Sequence, residues 1–174
     1  MGQKKAVPPT EQPAVAKGVR FVGLATRAVN FQENASAVGV RPERGPLVVI
    51  PTNLEVGVGV VRPPSDPTLA EVTLRVSATP DQSFLPYQVV VAITGSFKAP
   101  NDTNEDAFAE FCRQAAPAIL WPYARALITQ VTADARFGPL RLDPVNLTAL
   151  LRKDGWQTAQ PASPAEPATK RSKR

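Results

Sequence analysis

The sequence predicts an α+β domain in which a four-stranded antiparallel sheet carries one long, kinked helix and one short C-terminal helix on one face. Three observations predict it. Four strand-length apolar runs precede residue 98, and the last two of them show period-two alternation across hairpin-like connections. After Pro100 the spacing becomes helical. The chain has 174 residues, enough for one domain with its own hydrophobic core. Strands followed by helices, with short connections, favour helices gathered on one face of the sheet.

The first run, Val19 to Phe31, is rich in β-branched and aromatic residues, and Val19, Phe21, Val29 and Phe31 share one parity. Residues 34–53 hold Pro42, Gly45, Pro46 and Pro51 around the apolar Leu47 to Ile50, which reads as a crossover loop presenting apolar side chains. The second strand, Leu54 to Val61, puts Leu54, Val56, Val58 and Val60 on one face. Pro63, Pro64, Asp66 and Pro67 end it. The third, Glu71 to Ala78, alternates cleanly, with Val72, Leu74, Val76 and Ala78 opposite Glu71, Thr73, Arg75 and Ser77. The fourth runs from Phe84 to Phe97, with Tyr87, Val89, Val91 and Ile93 on one side.

Asp102 or Thr103 is suited to cap a helix whose acidic first turn, Glu105 and Asp106, complements the positive end of the helix dipole. Pro117 and Pro122 then interrupt it, and Ala124, Leu127, Ile128 and Val131 form an apolar side beyond. Arg136 to Pro139 make a turn. Asp143 as N-cap and Pro144 at the first helical position start a short helix to about Lys153, with Leu147, Leu150 and Leu151 as its stripe and Gly155 as its stop.

The net charge is +5, but it belongs to the ends. Residues 21–151 hold ten basic and twelve acidic side chains, a net of minus 2. Nineteen prolines in 174 residues are about twice the average share of roughly 5%, and many lie in segments 1–17 and 155–174. Low hydrophobicity there predicts disordered ends around a folded body at 18–154. The start lacks the apolar stretch of a signal peptide, and no run of 18 apolar residues occurs, so a soluble cytoplasmic protein without membrane insertion is expected.

Little catalytic material exists. The chain has no His, which removes Ser-His-Asp triads, Cys-His dyads and ordinary zinc sites. Asp102, Glu105 and Asp106 are explained as capping residues, and Cys112 beside Phe111 as a small buried hydrophobe. Gly57 and Gly59 lie within a strand and open no helix, so they make no phosphate cradle. No enzyme, cofactor or metal is expected. Nucleic-acid binding would depend on the basic ends, because the folded body is slightly acidic and aromatics are only 6% of residues. The apolar Leu47 to Ile50 run, Trp121 and the Leu147, Leu150, Leu151 stripe either complete a core or an oligomer interface, or line a groove for extended hydrophobic peptide.

The stretch APAILWPYARALITQVTADARFGPLRLDPVNLTALL, Ala116 to Leu151, resembles the signature of the SecB family of protein-export chaperones, notably in Trp121-Pro122-Tyr123-Ala124-Arg125 and Asp143-Pro144-Val145-Asn146. Weaker similarity reaches back through EVTLRVSA and Gly95 to Phe97 to the VNFQ at Val29 to Gln32. The resemblance implies a homotetramer, a dimer of dimers, that holds unfolded polypeptides without ATP. It implies grooves near the crossover loop and the short C-terminal helix, here Leu47, Val49, Ile50, Trp121, Leu142, Val145, Leu147, Leu150 and Leu151.

Export-dedicated members of that family dock the translocase motor SecA through acidic residues on the sheet and a zinc-ligating tail. Here Ala28, Gln32 and Val90 align with the acids, and residues 155–174 are basic and rich in Pro and Ala, without Cys or His. Two roles therefore stand open: holding preproteins for export, or serving a toxin-antitoxin system by holding an aggregation-prone antitoxin independently of SecA.

Overall fold

The computed structural model describes residues 18–33, 47–49, 54–78, 87–136, 138–147 and 151. Five strands come first: β1 (Arg20–Glu33), β2 (Leu47–Val49), β3 (Leu54–Val61), β4 (Leu69–Ala78) and β5 (Tyr87–Lys98). The long helix α1 (Glu105–Val131) and a short strand, β6 (Leu140–Leu142), follow. The order β1-β5-β4-β3 makes an antiparallel four-stranded sheet, and β2 pairs with β6 in parallel as a separate two-stranded annex. The run expected to be loop at Leu47 is thus partly strand. Its β-branched residues can extend the main chain, and β6 supplies a ladder partner far along the sequence.

Alternation fixes the faces of the main sheet. In β4, Val72, Leu74, Val76 and Ala78 are buried, and in β5 Tyr87, Val89, Val91 and Ile93 join them. The predicted bounds of β3 are those observed, whereas β5 begins at Tyr87, and Phe84 to Pro86 lie outside the described residues. β1 is an edge strand of 14 residues with irregularities between Phe21 and Gly23 and between Thr26 and Ala28. It leaves Phe21, Val22, Leu24 and Val29 exposed.

The helix packs on the apolar face through Phe108, Cys112, Ala116, Leu120, Ala124 and Ile128, an unbroken series spaced by four. Each step of four residues advances about 40° around the axis. The buried stripe therefore winds around α1, from the sheet at its start towards β6 at its end. The N-cap is Asn104 rather than Asp102 or Thr103: its Oδ1 accepts from the backbone N–H of Asp106 at 2.9 Å and Ala107 at 3.1 Å. At the same end Arg62 lies 5.3 Å from the centre of the Phe108 ring and pairs with Glu105 at 3.1 Å, tying β3 to α1.

Pro117 and Pro122 do not interrupt α1, which is one continuous helix. A proline deprives the carbonyl four residues earlier of its donor. Those carbonyls belong to Arg113 and Ala118, both exposed, so water can satisfy them. The second helix expected from Asp143 and Pro144 does not start there, because residues 143–146 have no helical structure. Leu147 and Leu151 are helical, but residues 148–150 and those beyond 151, Gly155 among them, lie outside the described set.

Candidate functional site

The site is built where the end of α1 meets the annex. Thr132 closes the helix: its Oγ1 donates to the carbonyl of Ile128 at 2.8 Å and accepts from the N–H of Leu140 at 2.8 Å. Thr129 Oγ1 donates to the Leu140 carbonyl at 3.1 Å, and Arg125 Nε donates to the Leu142 carbonyl at 2.9 Å. Three polar side chains, Arg125 and Thr129 of α1 and its C-cap Thr132, thus take the place of a neighbouring strand along one edge of β6.

The turn leading into β6 is fixed from the main sheet. Gly138 has φ +82°, a left-handed conformation for which glycine is suited, and its carbonyl accepts from the Tyr87 hydroxyl at 2.8 Å. Glu33, the last residue of β1, accepts from the Arg136 N–H at 3.0 Å. One end of the β1–β5 pairing, where Glu33 stands opposite Tyr87, therefore aims β6, and β6 in turn aligns β2, with Leu47 opposite Leu140 and Val49 opposite Leu142.

Of the residues expected to line a groove, Trp121, Leu142 and Leu147 are buried in the hydrophobic core. Val145 and Leu151 are half-buried and pack against it. Leu47 and Val49 lie in β2, and Ile50 and Leu150 fall outside the described residues. The Trp121 indole N–H is buried without a partner among the described residues. Sequence reasoning missed the polar clamp of Arg125, Thr129 and Thr132. Its signal was the spacing of four and three, which puts three hydrogen-bonding side chains on one helix face.

A second apolar area joins β1 to α1. Phe21 and Tyr123 rings are 5.9 Å apart, both more than a third exposed, with Ile119 exposed one turn before Tyr123. On the opposite face of the sheet, Ala28, Asn30 and Gln32 pair with Ala92, Val90 and Gln88. Ala28, Gln32 and Val90 therefore share the face turned away from the helix. Among the described residues no group of His, Cys, Asp and Glu is arranged to hold a metal, and no helix is long and apolar enough to cross a membrane.

A four-stranded antiparallel sheet backed by one long helix, with a parallel annex clamped at the helix end, defines a SecB-like α+β fold. The same fold is seen in the SecB-like chaperone of Mycobacterium tuberculosis, solved with a ChAD peptide from the HigA1 antitoxin: the TM-score is 0.52 at 12% identity, over 73% of this chain and 90% of that one. The family profile described as preprotein translocase subunit SecB matches residues 25–158, and the chain belongs to the SecB family of chaperones in protein export. Curated relatives include the protein-export protein SecB of Rhodopseudomonas palustris, 28% identical over 80% of this chain and 85% of that protein. That of Hyphomonas neptunium is 27% identical over 88% and 89%. That of Rickettsia felis is 31% identical over a shorter match, 51% of this chain and 59% of the relative's length.

Proposed function

We propose that the protein is a cytoplasmic, ATP-independent holdase that captures non-native polypeptides at the annex and the adjoining end of α1, and that it works as a homotetramer. The observation that carries this reading is the annex itself. A two-stranded segment, apolar except for the exposed Arg141, is fixed to the helix by side chains rather than built into the main sheet, with half-buried Val145 and Leu151 against the same core. Several small apolar contacts, at about 25 cal/mol per Å² buried, give affinity without demanding a sequence. Exposed Phe21, Leu24 and Val29 on the long edge strand β1, continuous with Tyr123 of α1, support self-association along that side.

The test is suppression of aggregation when a chemically denatured client is diluted into buffer with the purified protein and without nucleotide. Light scattering is expected to fall at a few-fold molar excess. Unchanged scattering across several unrelated clients would refute the reading.

A second reading, a chaperone dedicated to one client such as an antitoxin and independent of SecA, is favoured by the sheet face carrying Ala28, Gln32 and Val90, where export-dedicated members present acids to SecA. Pull-down with purified SecA separates the two. Retention comparable to an export-type family member supports an export role, and its loss favours the dedicated client.

A further inference from the structure

We propose that the edge strand β3 pairs with β3 of a second copy of the chain, antiparallel about a twofold axis at Gly57, so that the two sheets run on as one. This interface lies at the opposite edge of the sheet from β1 and does not depend on how clients are held.

Which main-chain groups β3 leaves open follows from one hydrogen bond. The Ala99 N–H, just beyond β5, donates to the Thr68 carbonyl at 2.8 Å, so Thr68 turns its groups towards the β5 side. Sides alternate along an antiparallel strand, and β4 pairs with both of its neighbours without a register shift. Glu71, Thr73, Arg75 and Ser77 therefore direct their groups to β3, where they meet Val61, Gly59, Gly57 and Glu55. The N–H and C=O groups of Leu54, Val56, Val58 and Val60 then point away from β4. β3 ends the sheet, and among the described residues no strand lies beyond it.

An open edge is a template for another strand, and proteins commonly blunt it with lysine, proline or a bulge. β1 carries two irregularities, but Leu54 to Val61 has no lysine, no proline and an unbroken register. The occupant follows from the symmetry of the strand. With Gly57 of the two copies face to face, Leu54 stands opposite Val60 and Val56 opposite Val58, so every outward donor and acceptor finds a partner. On the helix face this joins half-buried Val56 and Val60 to apolar side chains of the second copy. On the other face, Glu55 comes to lie opposite Gly59 of the second copy, one step along from Gly57 and the exposed Arg75 beside it. Gly57 and Gly59 leave that path clear, and the Arg75 guanidinium of each copy comes within reach of the Glu55 carboxylate of the other. An arbitrary extended segment matches the ladder but not these reciprocal charges, which favours a second copy as the occupant.

The experiment uses the full chain. Gly57→Cys puts a thiol on the axis, at a non-hydrogen-bonded pair where Cα atoms stand about 4.5 Å apart, within the span of a disulfide. A side chain there meets only Arg75 Cβ, at 3.9 Å, and the native Cys112 is buried. With diamide as oxidant, non-reducing gel electrophoresis is expected to show a cross-linked dimer from Gly57→Cys at least tenfold faster than from Glu55→Cys, which faces Gly59. Adding Arg75→Glu to Gly57→Cys is expected to slow the cross-link several-fold, and Glu55→Arg on top of both to restore it. In light scattering, the mass of the wild-type protein is expected to rise with concentration and that of Val56→Pro, which lacks an outward N–H, to rise less. Gly57→Asp, which sets two carboxylates against each other on the axis, replaces Val56→Pro if circular dichroism shows that the proline variant does not fold.

Equal cross-linking at positions 55 and 57 overturns the proposal, as do masses of the edge variants that follow the wild type at every concentration. Faster cross-linking of Gly57→Cys to a cysteine-bearing apolar peptide than to a second copy assigns the edge to client and overturns it as well. None of these outcomes touches the suppression of client aggregation, which tests the holdase reading separately.

Discussion

Gly95 lies directly under Leu120: a Cβ placed on Gly95 would stand 2.6 Å from Leu120 Cδ2 and 3.0 Å from ring carbons of Phe21 and Phe97. The central strand β5 can meet α1 this closely only because that position has no side chain. Gly95→Ala is therefore expected to destabilise the fold by about 1–3 kcal/mol through forced displacement of packed neighbours. Urea denaturation checks it, as a lower midpoint with little change in slope. Gly57→Ala is the comparison, since its nearest neighbour would be Arg75 Cβ at 3.9 Å and no displacement is needed.

Thr132 joins the end of α1 to β6 by one hydroxyl that both donates and accepts, and the residue is fully buried. Thr132→Val keeps the shape but strands the Leu140 N–H without a partner. The expected cost is about 1–3 kcal/mol. Thr132→Ser, which keeps the hydroxyl, should recover most of that in thermal unfolding. If valine and serine variants unfold together, the hydroxyl does not hold β6.

Much of this arrangement could be read from the residues alone, and the limits were physical. The alternation in Val72 to Ala78 and Val89 to Ile93 gave the buried face directly, because a sheet covered on one side must repeat every two residues. Resemblance in Trp121 to Arg125 and Asp143 to Asn146 pointed to the family that the profile match over 25–158 establishes. The continuity of α1 through two prolines was hidden, because it depends on whether the carbonyls left behind reach solvent. So was the β2–β6 ladder, a pairing of three-residue strands about ninety positions apart that no local period reports. The burial of Trp121, Leu142 and Leu147 was equally invisible, since an apolar side chain in a groove and one in a core obey the same spacing.

Burial pushes the Cys112 thiol from 9.0 up to about 11, against a smaller downward pull from Arg62 and Arg113. The native state thus holds this proton where the unfolded chain has lost it. The contribution is complete below pH about 9 and is lost as pH rises from about 9 to about 11. The stability difference between wild type and Cys112→Ala should shrink over that interval and stay constant between pH 7 and 8.5. A difference that is flat to pH 11 contradicts the assignment. At pH 8 the native thiol should also react far more slowly with a disulfide reagent than the same protein in urea.

Self-association along β1 gives a further expectation. The Phe21 ring packs at a tilt against those of Phe97 at 5.3 Å and Tyr123 at 5.9 Å, so Phe21→Ala would disturb the fold as well as the surface. Val22 is a cleaner probe because it is more than half exposed. Combining Val22→Lys with Val29→Lys introduces charges on the edge strand with little loss of buried area. Light scattering coupled to size exclusion is expected to show a species smaller than the wild-type protein forms, and an unchanged mass would remove this edge from the assembly.

Leu147 and Leu151 separate folding from capture. Leu147 is 4% exposed, so Leu147→Asp places a carboxylate in the core, where an unpaired charge is costly, and the variant is expected to lose stability by several kcal/mol. Its loss of client binding would then say nothing about a groove. Leu151 packs only partly against the core, and Leu151→Asp should leave the melting temperature within a few degrees of wild type while reducing aggregation suppression several-fold. Val145→Asp makes the same comparison on the segment between β6 and Leu147. If both half-buried positions tolerate aspartate with full suppression, client contact does not occur on this side of α1, and the apolar face shared by Phe21, Ile119 and Tyr123 becomes the surface to test.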